Sequence, residues 1–131
     1  MKKIEKEDYV NYRIQKAKDT IKEVELHIEN SLWNTAMNRL YYACYYAVGA
    51  LLVKHGIATG SHTGSRQKFG QHFVNTGKIE KDLGKHYTKL FEKRHKGDYS
   101  DFYDCDEATV KKLYPASVEF ISKIEFLIIE D

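Results

Sequence analysis

The stretch "WNTAMNRLYYACYYAVGALLVK", residues 33–54, is apolar or aromatic around most of a helix's circumference. Trp33, Met37, Leu40, Cys44, Ala47 and Leu51 recur at spacings of three and four, which draws one apolar stripe along a helix. Asn38, Tyr42, Tyr45 and Gly49 draw a second. A helix greasy on two faces needs cover on both, so it is either the centre of its own bundle or one face of a dimer. Four or five helices seldom enclose one helix completely, so Tyr42, Tyr45 and Gly49 are read as a homodimer interface. Gly49 and Ala50 would permit close approach there, and the tyrosine hydroxyls would find partners across it.

Towards the N-terminus, Val10, Ile14, Ala17, Ile21, Val24 and Ile28 form the seam of another amphipathic helix. Asn30 and Ser31 break that seam and offer a cap for the helix that follows. On the other side, "HGIATGSHTG", residues 55–64, holds three glycines but no GxxxxGK[ST] and no GxGxxG, so turn geometry accounts for them. Ser61 or Thr63 is expected to cap a short helix carrying Phe69, Phe73 and Val74, which ends at residues 75–77. Ile79, Leu83, Tyr87, Leu90 and Arg94 then share one stripe, which aims the Arg94 guanidinium inward or at an interface. Gly97 is expected to end this helix, leaving Arg94 in the last turn, where a cation suits the helix dipole. A last helix opens at Asp104 to Asp106 and buries Val110, Leu113, Ser117, Phe120, Ile124 and Leu127, with a kink predicted at Pro115. No segment alternates with period two. The expected fold is all-α, an up-and-down bundle of four to five helices forming a single domain over residues 1–131.

A chain of 131 residues with 42% apolar and 31% charged residues can bury a core without metal or disulfide support. No apolar run reaches the ~20 residues that a membrane helix needs, and "MKKIEKEDYV" has no apolar region behind its basic start. A cytoplasmic protein with no membrane contact is expected. Cys44 and Cys105 form no CxxC pair and are read as reduced thiols. Without an HxxxH or HExxH pair, neither a metal nor a cofactor is expected. The net charge of +2 conceals a polarity: residues 32–97 carry eleven Lys/Arg against three Asp/Glu, and residues 98–131 carry three against nine. Either the basic middle forms a phosphate-facing surface, or the acidic tail packs beside it and neutralises it.

"AMNRLYYACYYAVGALLVKHG" (36–56), "SHTGSRQKFGQHFV" (61–74), "EKRHKGDYSDF" (92–102) and the long final helix together resemble the HEPN domain of bacteria and archaea. The likeness runs from about Tyr9 over nearly the whole chain, and is closest to the small stand-alone branch with an NRLYYA helix and an R-x-x-x-D-Y segment. It implies a four- or five-helix fold and a homodimer whose motif segments line a shared cleft. Many members are metal-independent ribonucleases, often toxins held in check by a small nucleotidyltransferase partner. Their cleavage motif is R-x(4–6)-H. Here Arg94 matches the arginine and His95 the polar residue after it, while Tyr99 stands where the histidine is expected.

That difference matters because scission through the 2′-hydroxyl needs proton transfers and positive charge on the developing phosphorane. Arg94 supplies charge through its planar donors. A histidine near pKa 6.5 suits the proton transfers, and an ordinary tyrosine near 10 does not. His95 or His62 would substitute if the fold brings one near Arg94. The resemblance also makes Asn38 and Arg39 supporting and binding candidates, with an interface role or hydrogen bonding inside their own helix as the alternative. Asp98 either orients Arg94 or closes the turn after Gly97. Tyr99 and Tyr103 are candidates for modification by the partner nucleotidyltransferase. Three readings follow: a toxin-like endoribonuclease leaving 2′,3′-cyclic phosphate, a non-catalytic dimer that binds RNA or nucleotide, and a helical module that serves only a nucleotidyltransferase.

Overall fold

The computed structural model describes residues 3–99 and 104–130, excepting the side chains of 96–99. Five α-helices follow one another: α1 (Lys3–Glu29), α2 (Trp33–Lys54), α3 (His62–Phe69), α4 (Lys81–Tyr99) and α5 (Glu107–Glu130). A five-residue π-helical turn, Gly70–Val74, extends α3. The described residues contain no strand, and none of the helices is long and apolar enough to cross a membrane.

α2 is the centre of the bundle, with α1, α3, α4 and α5 all packed against it. Of its residues only Asn34 and Thr35 are exposed. The residues of the second stripe, Asn38, Tyr42, Tyr45 and Gly49, are half-buried, so part of that face stays open in the single chain.

The helix ends show how the chain turns. Ser31, expected to cap α2, instead closes α1: it takes φ +56° while its N–H donates to Ile28 O (3.1 Å) and that of Leu32 to His27 O (2.8 Å). Asn30 also turns back to α1, its Nδ2 donating to Leu26 O. α2 begins after Leu32 without a side-chain cap. Gly56, at φ +71°, ends α2 by the same paired bonds, Gly56 N to Val53 O and Ile57 N to Leu52 O. Lys54 reaches across to the Ile128 carbonyl near the C-terminus of α5, where a cation meets the negative end of the dipole.

A further expectation fails. α4 runs through Gly97 to Tyr99, since a glycine inside a helix costs only about 1 kcal/mol against alanine. Arg94 is thus inside α4 and not in its last turn, so the helix end does not account for its charge. α5 continues through Pro115, which is exposed and off the buried stripe. The carbonyl that loses its donor there belongs to Lys111, an exposed residue.

An aromatic spine joins core to surface. Phe120 stacks on Tyr87 (5.6 Å) and meets Phe69 edge-on (5.7 Å), and Tyr87 stacks in turn on Tyr41 at 6.1 Å with the rings 6° from parallel. All four are fully buried. Each such pair adds about 0.5–1.5 kcal/mol beyond its burial, so the outer end of the spine is held firmly.

Candidate functional site

The outer end of the spine is the run Tyr41, Tyr42, Tyr45 on α2. Arg94 lies on it from α4: its Nη2 donates to Tyr42 Oη (3.0 Å), and its guanidinium sits over the Tyr41 and Tyr42 rings at 5.7 and 5.5 Å. The inward aim inferred from its stripe is what the fold gives it.

His62 arrives from the other side. Ser61 caps α3 by accepting a bond from Gly64 N (2.9 Å), which fixes His62 as the first residue of that helix. The His62 ring stacks on Tyr45 with centroids 4.3 Å apart and meets Tyr42 edge-on at 5.7 Å. Its Nδ1 shares a hydrogen bond with Tyr41 Oη at 2.7 Å. Burial holds the Tyr41 hydroxyl well above its usual range despite the lowering influence of Arg94, so it keeps its proton. A neutral hydroxyl both donates and accepts, and so serves Nδ1 in either ring tautomer. Arg94 and His62 therefore stand on the same two tyrosines.

The remaining candidates are placed as follows. His95 is exposed and stacks on Phe91 (6.4 Å), whose ring in turn meets Tyr41 edge-on at 6.3 Å. Asn38 Oδ1 accepts from Arg39 Nε (3.3 Å) and Nη2 (3.1 Å), and the Arg39 guanidinium lies over Tyr42 at 5.1 Å. Asn38 thus makes the bond within its own helix that was its alternative reading, and it steers Arg39 onto the platform. Gly49 faces α1: a side chain there would overlap the Arg13 guanidinium. Asp98 and Tyr99 fall on the last turn of α4, where side chains are not described, and Tyr103 lies outside the described residues.

Sequence reasoning missed three features. Tyr41, the hinge of the arrangement, was one aromatic among many in "LYYACYYA". Each of the four arginines, 13, 39, 66 and 94, lies over an aromatic ring, and the rings of Tyr45, Tyr42, Phe91 and Tyr41 they use touch one another. Lys81, Lys85, Lys89 and Lys93, four apart, share one face of α4; with Arg66, the first three line a groove of about 540 Å³ beside the π turn. That spacing was visible in the sequence.

The acidic tail approaches this charge at one described point, Asp106, whose carboxyl is held below its usual range by hydrogen bonds from Thr109 with help from Lys93. Between described residues its ion pairs are Lys18 with Glu125, Lys111 with Glu107 and Lys123 with Glu80, none of which engages a cation of residues 32–97. No cluster of potential metal ligands occurs among the described residues. Cys44 and Cys105 are both buried, and burial pushes the Cys44 thiol up to about 12.

An all-α bundle that gathers arginines and a histidine on a buried aromatic platform is the class of protein this geometry defines. The HEPN domain model matches residues 10–127, and the chain belongs to that family. It is 37% identical over 124 residues to a UPF0332 protein of Thermotoga maritima, covering 95% of this chain and 94% of that one. It is 31% identical over 112 residues to a protein of Methanocaldococcus jannaschii named "Putative toxin MJ0605", covering 86% and 83% of the two chains. A second protein of that organism, "Putative toxin MJ0142", is 24% identical over 110 residues, covering 84% and 75%.

Proposed function

We propose that this protein is a toxin-like, metal-independent endoribonuclease in which His62 performs the proton transfer of the histidine that Tyr99 replaces. The observation that carries this is the convergence of Arg94 and His62 on Tyr41 and Tyr42. Arg94 neutralises the phosphorane oxygens as charge develops, an effect of a kind worth about 10²–10³ in rate. His62, oriented through Nδ1 by Tyr41, exchanges a proton with substrate through Nε2, and general acid–base catalysis contributes about 10²–10⁴. His62 Nε2 takes the 2′-hydroxyl proton as the 2′-oxygen attacks phosphorus, and the protonated ring returns it to the departing 5′-oxygen, leaving a 2′,3′-cyclic phosphate. Arg39 and the α4 lysines supply sequence-independent attraction for the RNA backbone. The names of the two Methanocaldococcus relatives support a toxin role, and the family resemblance adds to this reading a homodimer in the cytoplasm restrained by a small nucleotidyltransferase.

Tyr99 itself favours a second reading, a binding module that holds RNA or nucleotide at Arg94 without turnover. Cleavage of a labelled structured RNA in excess EDTA separates the two. The first reading predicts cyclic-phosphate ends from the wild type and Tyr99→Phe, and rates at least about 100-fold lower for Arg94→Ala and His62→Gln. A wild type that binds RNA more tightly than Arg94→Ala yet never cleaves it establishes the second.

A further inference from the structure

We propose that Arg13, on α1, and the cavity it lines form a second phosphate subsite, which seats a backbone phosphate of RNA next to the one at Arg94. The proposal rests on the RNA reading above and gives the bound strand a direction across the fold. Arg13 belongs to none of the motif segments. Its guanidinium lies over the rings of Tyr46, Tyr45 and Tyr9 at 5.2, 5.4 and 5.9 Å. Its Nε is buried without a hydrogen-bond partner, and no ion pair between described residues includes it. An orphan N–H of this kind costs about 1–3 kcal/mol, and a structural role alone would be served by an apolar side chain of similar length. What a guanidinium whose Nε–H has no acceptor offers is charge for an anion supplied from outside.

The surroundings suit a phosphate. Arg13, Tyr9, Tyr45, Gly49, Thr59 and Ser65 line a cavity of about 190 Å³, several times the ~30 Å³ of a water molecule. The Thr59 and Ser65 hydroxyls bond to each other at 2.8 Å, which uses one of their two hydrogens and leaves a donor on one of them. Gly49 keeps the seat open, because a Cβ there would overlap Arg13 Nη2. Tyr45 links the two subsites, touching Arg13 on one hand and His62 on the other.

The test uses inorganic pyrophosphate and a short oligouridylate, with Arg13→Met and Gly49→Ala beside the wild type. Gly49→Ala keeps the charge but displaces the guanidinium. Alanine is favoured over glycine in a helix by about 1 kcal/mol and the displaced group is a flexible side-chain end, so folding should survive, as a thermal melt will check. Pyrophosphate is expected to shift the Arg13 Nε–H resonance in the wild type. Both variants should bind oligouridylate about five- to tenfold more weakly, with the slope of log affinity against log salt smaller by about 0.7, the value of one phosphate on a single strand. A pyrophosphate response at Arg94 alone, or wild-type affinity and slope in either variant, overturns the subsite and leaves the RNA reading standing. Failure of the wild type to bind oligouridylate overturns that reading and this proposal with it.

Discussion

Replacing Tyr41 by phenylalanine removes one oxygen and leaves the platform standing. The ring keeps its stacking on Tyr87 (6.1 Å) and Tyr45 (5.9 Å), so the fold loses little. What disappears is the 2.7 Å bond to His62 Nδ1. A neutral hydrogen bond contributes about 1 kcal/mol net, and a ring no longer held in one orientation loses up to about 1 kcal/mol more in ordering. At 1.36 kcal/mol per factor of ten, the scission rate should fall about five- to thirtyfold in single-turnover assays. Imidazole ¹⁵N shifts provide a readout that a general weakening of the fold would not move: the His62 Nδ1 resonance should shift as its hydrogen bond to Tyr41 is lost. An unchanged rate with unchanged His62 shifts would refute the assignment of Tyr41 as its positioning residue.

Other outcomes follow from the same geometry. His86 is buried with Nε2 2.9 Å from Ser117 Oγ, and burial, helped by Lys89, lowers its pKa to about 4. The unfolded chain binds this proton from about pH 6.5 and the folded chain only near pH 4, so the stability it contributes is complete above pH 6.5 and lost as pH falls towards 4. The loss is at most about 3 kcal/mol, nearer 2 after allowance for partial solvent access, and urea midpoints of the wild type and His86→Gln should converge across that window. Ser31→Gly relieves the left-handed backbone at φ +56° and should raise the melting temperature by a few degrees, corresponding to about 0.5–1 kcal/mol. Converting Lys81, Lys85 and Lys89 together to glutamine should leave the melt unchanged and reduce the salt slope of RNA binding by up to about 2, if all three meet phosphates.

The helices were legible because periodicity reports burial, and the stripes of α1, α2 and α5 are mostly those the structure buries: Val10 to Val24, Met37 to Leu51, Val110 to Ile124. Periodicity also turned Arg94 inward. It is silent on what a side chain meets. Tyr41 and His62 are 21 residues apart and Arg94 and Tyr42 are 52 apart, so those pairings depend on how the loop after α2 folds back and on where α4 crosses α2. The contact of Arg13 with Gly49 is of the same kind, a meeting of two helices that periodicity does not report. Gly97 and Ser31 misled because residue preference at a helix end is weak beside tertiary packing.

The central claim is that Arg94 and His62 act on one phosphate. A double-mutant cycle on metal-free RNA scission tests it, comparing Arg94→Ala, His62→Gln and the pair. Groups that act as a unit are non-additive, so the double variant should be little slower than the slower single one. Losses that add in full, or no scission by the wild type in EDTA, would contradict the account.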